Sequence, residues 1–206
     1  MFIRRNPCTL LSVNAPDVRE KRKIWADIIS KYDENNLVYL DESGVNTDMT
    51  RIYGRAVGGT RVVDNVPLST PSNTTILSSI RLNGETAYTT YFGGTTGEKF
   101  IDYLKNILIP ALKDGDVIIM DNMRSHHIRK VSEIIGKSDK HLTLLYLPPY
   151  SPDFNPIEMM WSKLKSLLRQ MRVRDIIALP SAIENAFRSI SPSDCAGWFS
   201  AVFNRH

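Results

Sequence analysis

Leu37-Val38-Tyr39-Leu40-Asp41-Glu42-Ser43-Gly44 reads as a short buried strand, closed by an acid and ended by a Ser-Gly break. A second run of the same design, Val117-Ile118-Ile119-Met120-Asp121-Asn122, lies downstream. A third acid, Glu158, stands in Asn155-Pro156-Ile157-Glu158, where a long amphipathic pattern begins. A buried strand rarely ends in an unpaired carboxylate, because taking the charge out of water is costly. Two such strands and an acid opening a helix make a shared divalent cation the natural partner. Mg²⁺ takes oxygen ligands and keeps positions open for phosphate.

Each acid alone has a plainer explanation. Asp41 and Asp121 can be strand-end turn residues. Glu158 fits a capping box, with Asn155 as N-cap, Pro156 in the first helical position and the Glu reaching back. Only their joint occurrence favours the metal. Glu42, next to Asp41, points to the opposite face of the strand. Asp153 fits an Asx-type turn in Ser151-Pro152-Asp153-Phe154-Asn155-Pro156. His126 either stands behind the acids, near phosphate, or is a polar first-turn residue. Asn122 either orients a phosphate or ties the turn. His127 and His141 read as surface residues.

Working outward, Pro16 opens a helix with Val18, Trp25, Ile28, Ile29 and Tyr32 on one face and Arg19, Lys21, Arg22 and Lys23 on the other. Residues 45–73 form an excursion with a small hairpin around Gly58-Gly59. Thr74 to Leu82 and Thr86 to Phe92 flank Asn83-Gly84, a strong hairpin signal. A helix over roughly 97–112 follows, with Pro110 near its end. Asp116 to Met120 is a strand, and Ser125 caps a helix that Gly136 stops. Leu142 to Leu147 is a strand halted by Pro148-Pro149. The helix from Pro156 to about Met171 carries Ile157, Met160, Trp161, Leu164, Leu167, Leu168 and Met171 on one stripe. Two shorter helices close the chain, near 180–190 and 192–202.

The order is three strands as a meander, then helix, strand, helix, strand, helix. It predicts an α/β fold: a mixed five-stranded sheet flanked by helices, in the order of ribonuclease-H-like folds. There the first and fourth strands are neighbours, which would bring Asp41 beside Asp121. The segments divide as a lead-in with one helix (1–36), a central α/β unit (37–174) and a helical tail packing on it (175–206).

Composition is permissive. At 206 residues one domain with a sizeable core is expected, and 42% hydrophobic with 23% charged residues is ordinary for a folded chain. The net charge of +4 and pI of about 9.1 lean only slightly toward a nucleic-acid partner. The placement says more. Glu158, Ser162, Lys165 and Arg169 fall on one stripe of the long helix, and Lys163, Arg172 and Arg174 crowd the same stretch. These bases suit a DNA backbone leaving the acids, or simply a solvated face. Gly93-Gly94-Thr95-Thr96-Gly97 lacks the lysine pattern of a phosphate loop and reads as a helix start. Cys8 and Cys195 have no metal or disulfide spacing, so a reduced, intracellular, soluble protein is expected. No apolar run approaches the ~20 residues needed to cross a bilayer, and the Met-Phe-Ile-Arg-Arg start is no signal peptide.

Taken together, Leu40 to Gly44, Met120-Asp121-Asn122 with His126, and Leu147-Pro148-Pro149-Tyr150-Ser151-Pro152-Asp153-Phe154-Asn155-Pro156-Ile157-Glu158 followed by Trp161-Ser162-Lys163-Leu164-Lys165 resemble the catalytic core of DDE transposases. The nearest likeness is to the mariner-related superfamily, in its prokaryotic insertion-sequence branch. It covers roughly 37–171, and Thr50 to Val62 and Ser191 to Phe199 also resemble it. The third motif is long and specific; the first two are weak alone. The resemblance implies a ribonuclease-H-like fold and two Mg²⁺ or Mn²⁺ ions held by the catalytic acids Asp41, Asp121 and Glu158. Asn122 and His126 would stand behind them, with Lys163, Lys165, Arg169 and Arg172 on DNA. The implied reaction is hydrolysis at the element's ends, then attack of the freed 3′-OH on target DNA, commonly at TA.

Transposon ends and target DNA would be the partners, in a homodimeric assembly associated with the nucleoid. Family members carry N-terminal helix-turn-helix modules, and about 36 residues before the first strand are too few for them. An upstream segment from a separate reading frame, or truncation, is therefore expected. Two rival readings stand beside this one: a remnant that binds DNA without catalysis, and a structure-specific nuclease on the same fold.

Overall fold

Five strands make one mixed sheet: β1 (Leu37–Asn46), β2 (Asn73–Ile80), β3 (Thr86–Phe92), β4 (Val117–Met120) and β5 (Thr143–Tyr146), in the order β3-β2-β1-β4-β5. The structure is a computed structural model and describes residues 15–50, 73–121 and 125–203, with positions 58, 61, 63, 65 and 67. The hairpin expected around Gly58-Gly59 lies outside those residues, apart from isolated positions. β1 to β3 form the antiparallel meander, closed by the Asn83-Gly84 turn, in which Gly84 takes φ +90°. β4 and β5 lie parallel to β1 beyond it. Helices must carry the chain back between parallel strands, so both faces of this half are covered.

The helices are α1 (Pro16–Ile29), α2 (beginning as Gly97–Tyr103), α3 (Ser125–Gly136), α4 (Ile157–Met171), α5 (Leu179–Arg188) and α6 (Pro192–Phe203). α2 continues as a π-turn over Leu104–Leu108 and a last turn Ile109–Ala111. Pro110 has no N–H to give to a carbonyl four residues back, and it follows directly on this shift of the ladder.

Alternation along β1 sorts the core into two layers. Leu37 and Tyr39 join Val117 and Ile119 in a cluster with Trp25 and Ile29 of α1, Ile157, Met160, Trp161 and Leu164 of α4, and residues of α5 and α6. Val38 and Leu40 join Ile118 and Met120 in the opposite cluster, under α2 and α3. The N-terminal helix and the last two helices thus share the central unit's main core.

One boundary differs from expectation in a way that matters. Ser43-Gly44 does not end β1; the strand runs to Asn46, paired with β2 from Tyr39↔Ile80 through Asn46↔Asn73. β4 pairs with β1 only as far as Leu40↔Met120. Asp41 therefore lies inside a continuous antiparallel ladder, at the level where its parallel neighbour stops. Local composition marked a break there, but cross-strand pairing with β2 overrides it.

Asp116, expected as the first strand residue, precedes β4 instead. Its buried carboxylate takes both guanidinium nitrogens of Arg81, one at 2.9 Å, and accepts from the Lys113 N–H at 2.5 Å. Among the described residues no helix is long and apolar enough to cross a membrane.

Candidate active site

Asp41 and Asp121 each follow the last residue of the β1–β4 pairing, on adjacent parallel strands. By alternation both belong to the face that carries Leu37, Tyr39, Val117 and Ile119, which is the face α4 covers. Glu42 falls on the other parity and is exposed. The first turn of α4 brings Glu158 to the same place. Asp41, Asp121 and Glu158 line one cavity of about 430 Å³, walled by Leu147, Pro148, Pro149, Tyr150, Ser151, Pro152 and Asn155.

Glu158 does not act as a helix cap. α4 starts at Ile157, and Asn155 Oδ1 accepts from the Ile157 N–H at 3.4 Å. The Asn155 N–H, which a capping box would give to the Glu, goes to Pro152 O at 3.1 Å. The Pro152–Phe154 turn takes that donor first, leaving the Glu158 carboxylate for the cavity.

The electrostatics are those of crowded acids. Asp41 is half-buried, and its carboxyl is pushed from 3.8 up to about 6. Burial is the largest cause; the backbone N–H of Glu42 pulls the other way, the Glu158 charge raises it, the Trp161 bond lowers it and the Asp121 charge raises it. Glu158 is also raised, first by burial, with Lys165 opposing and Asp121 adding. Among the described residues, no lysine or arginine lines the cavity.

Among the described residues, the charged groups lining the cavity are all carboxylates, the set that suits a hard divalent cation. Among the described residues, however, no three His, Cys, Asp or Glu side chains meet closely enough to form a ready metal cluster.

Two contacts at the site had no local signal in the sequence. Trp161, read as one of the apolar stripe, donates its indole N–H to Asp41 Oδ2 at 3.1 Å. A buried indole N–H seeks an acceptor, and Asp41 supplies it to a helix turn that also carries Glu158. Arg22, read as part of a solvated basic face, has its side chain only 18% exposed and grips the cavity wall through Ser151 and Asp153. Asp153, expected to serve an Asx turn, is its partner.

The expected DNA-facing bases divide. Lys163 gives its ammonium to Asp194, joining α4 to α6, so that charge is used inside the fold. Arg174 caps the Thr47 carbonyl at 2.8 Å. Lys165 and Arg169 stay on the Glu158 side of α4, both half-buried. Arg172 closes α4 in the left-handed conformation, at φ 51°. Asn122 and the side chain of His126 lie outside what the structure describes. His141 is exposed and bonded to Asp114. A second cavity, of about 470 Å³ near Phe100 and Val131, holds one acid and one base, Glu98 and Lys130, and no comparable constellation.

A mixed five-stranded sheet in this order, with helices on both faces and acids where β1 and β4 part, defines a ribonuclease-H-like fold of the transposase catalytic-domain type. The family model described as DDE superfamily endonuclease matches residues 36–180, well over half of the chain. The chain belongs to that family. The Mos1 transposase paired-end complex with left transposon end superposes with a TM-score of 0.75 at 16% identity, covering 100% of this chain and 62% of that one. The Mos1 mariner paired-end complex with Mn gives 0.75 at 15% identity, covering 98% and 62%. The catalytic domain of Mos1 mariner transposase gives 0.63 at 13% identity, covering 100% and 93%. The chain thus spans about three-fifths of the longer transposase chains it matches. Among curated proteins, none matches it in sequence.

Proposed function

We propose that this chain is the catalytic part of an insertion-sequence transposase, cutting DNA at the element's ends and joining the freed 3′-OH to target DNA, commonly at TA. The observation that carries the reading is the single cavity lined by Asp41, Asp121 and Glu158, in a chain of the DDE superfamily endonucleases. Asp41, Asp121 and Glu158 would hold two Mg²⁺ or Mn²⁺ ions. Such ions, when bound, stabilise the attacking and leaving oxygens of an in-line displacement at phosphorus. Mos1 structures solved with Mn and with Mg support the choice of cation.

The chain's own residues do the rest. Trp161 fixes the Asp41 carboxylate against rotation, so that its remaining lone pairs face the cavity. Asp121 is exposed, at the open side from which a phosphodiester approaches. Lys165 partly offsets Glu158, and with Arg169 it extends a positive stripe along α4 for the DNA backbone. Two chains would act together on paired ends, with end recognition supplied by a helix-turn-helix segment.

The deciding experiment is nicking of a duplex that carries the element's inverted repeats, with Mg²⁺, against the same reaction by Asp121→Ala. Nicking by the wild type, its absence in the variant, and joined products with a target plasmid are expected. Nicking of junctions or hybrids without joining would favour a structure-specific nuclease. DNA binding without any nicking would favour an inert remnant.

A further inference from the structure

The wall of the acidic cavity that carries Glu158, from Leu147 to Asn155, belongs to no strand or long helix. It contains Pro148, Pro149 and Pro152, and Tyr150 is held at φ 57°, a left-handed conformation disfavoured for so bulky a side chain. Its own bonds are short-range: Ser151 Oγ donates to Pro149 O, the Phe154 N–H to Ser151 O and the Asn155 N–H to Pro152 O, each at 3.1 Å. Something outside the segment must hold such a wall in one shape.

Arg22, on α1 and 128 residues away from Tyr150, does so. Its Nη1 donates to Ser151 Oγ at 2.8 Å and to Asp153 Oδ1 at 3.0 Å, with Tyr150 O at 3.5 Å. Its Nη2 donates to Asp153 Oδ2 at 2.5 Å, and the guanidinium lies over the Phe154 ring, 4.0 Å from its centroid. This is a two-pronged carboxylate grip combined with ring stacking, which a planar guanidinium can make and an ammonium cannot. α1 is itself anchored through Trp25 and Ile29 in the main core, so the grip is referred to the rigid body of the protein.

Asp153 has a second effect. It neutralises the guanidinium beside a cavity that must attract cations, so the strut adds stiffness without a net positive charge.

We propose that Arg22 is a positioning residue of the acidic site: it fixes the Tyr150–Phe154 segment and thereby the approach of Glu158 to Asp41 and Asp121. The role rests on the metal-holding reading above, but its mechanical part does not.

The test uses the full chain as Arg22→Lys, with Lys23→Gln from the same basic cluster as control. Amide hydrogen exchange of the metal-free proteins and Mn²⁺ binding followed by electron paramagnetic resonance are measured together. In Arg22→Lys, the bonded amides of Phe154 and Asn155 exchange about tenfold faster while the sheet amides keep their rates. Mn²⁺ affinity falls about tenfold, the usual loss when the support behind a ligand goes. Lys23→Gln matches the wild type in both. A variant whose 154–155 amides and Mn²⁺ affinity are unchanged overturns the role of Arg22, as does acceleration spread evenly over the sheet. A wild type that binds no Mn²⁺ overturns the metal reading and this role toward it; the exchange data then still report on the strut separately.

Discussion

The indole N–H of Trp161 donates to Asp41 Oδ2 at 3.1 Å, joining the helix that bears Glu158 to the central strand that bears the first acid. The bond stabilises the ionised carboxylate and draws down a group that burial and its acidic neighbours hold near pH 6. Trp161→Phe keeps most of the packing and removes the donor. The Asp41 titration then moves above 6, and Mn²⁺ affinity at pH 7 falls about tenfold. Titrating Mn²⁺ into both proteins across pH 5.5–8.5 checks this; superimposable curves would refute it.

Asp41 costs the fold stability at neutral pH. Its folded-state value, about 6, lies above the ordinary 3.8, so the native state holds the proton more tightly than the unfolded chain. The associated stability is fully present below about pH 4 and is lost as pH rises through 6. With a chelator at pH 7.5, Asp41→Asn therefore melts higher than the wild type, by about 2–4 °C for each kcal/mol relieved. Near pH 4 the two proteins converge. Thermal melts at both pH values test the sign, and saturating Mn²⁺ should reverse the order at pH 7.5 by stabilising only the wild type.

The Arg81–Asp116 pair is a buried charge pair at the end of β2 away from the acids. Removing one partner leaves the other buried and uncompensated, which costs about 3–5 kcal/mol. Asp116→Ala should lose that much in urea denaturation, while Arg81→Met with Asp116→Leu recovers most of it. Equal stability of Asp116→Ala and wild type would show that water reaches the pair.

Gly84 turns the β2–β3 hairpin at φ +90°, and a Cβ there would stand 3.1 Å from the Pro192 backbone at the start of α6. Gly84→Ala combines a left-handed penalty with a backbone clash. A loss of about 1 kcal/mol or more is expected from the conformation alone. Asn83→Ala, which removes only the side-chain bond to the Glu85 N–H, should cost less. Comparing the two midpoints separates clash from turn propensity.

Most strands and helices were legible because they rest on short-range rules, and the sheet order because their sequence matches a known fold order. Alternation turned Glu42 away from the Asp41 face, and the strand order of ribonuclease-H-like folds set the first and fourth strands, with Asp41 and Asp121, side by side. The long third motif carried the family likeness that the model match to 36–180 bears out. The end of β1 was misread, since Ser43-Gly44 looks like a break until β2 is seen to pair through it. The capping role for Glu158 fitted the window, but Pro152 O takes the N–H it required.

The amino-acid order by itself determined the succession of strands and helices and turned Glu42 away from Asp41, because periodicity and backbone sterics act over a few residues. Only tertiary structure decided what each polar group touches. Lys163 and Arg22 look alike in a basic run, yet one holds Asp194 and the other grips Asp153 and Phe154. Arg81 finds Asp116 across 35 residues, and Trp161 finds Asp41 across 120. Such pairings follow from how helices seat on the sheet, where burial makes an unmet charge or N–H expensive, and that demand leaves no local mark on the chain.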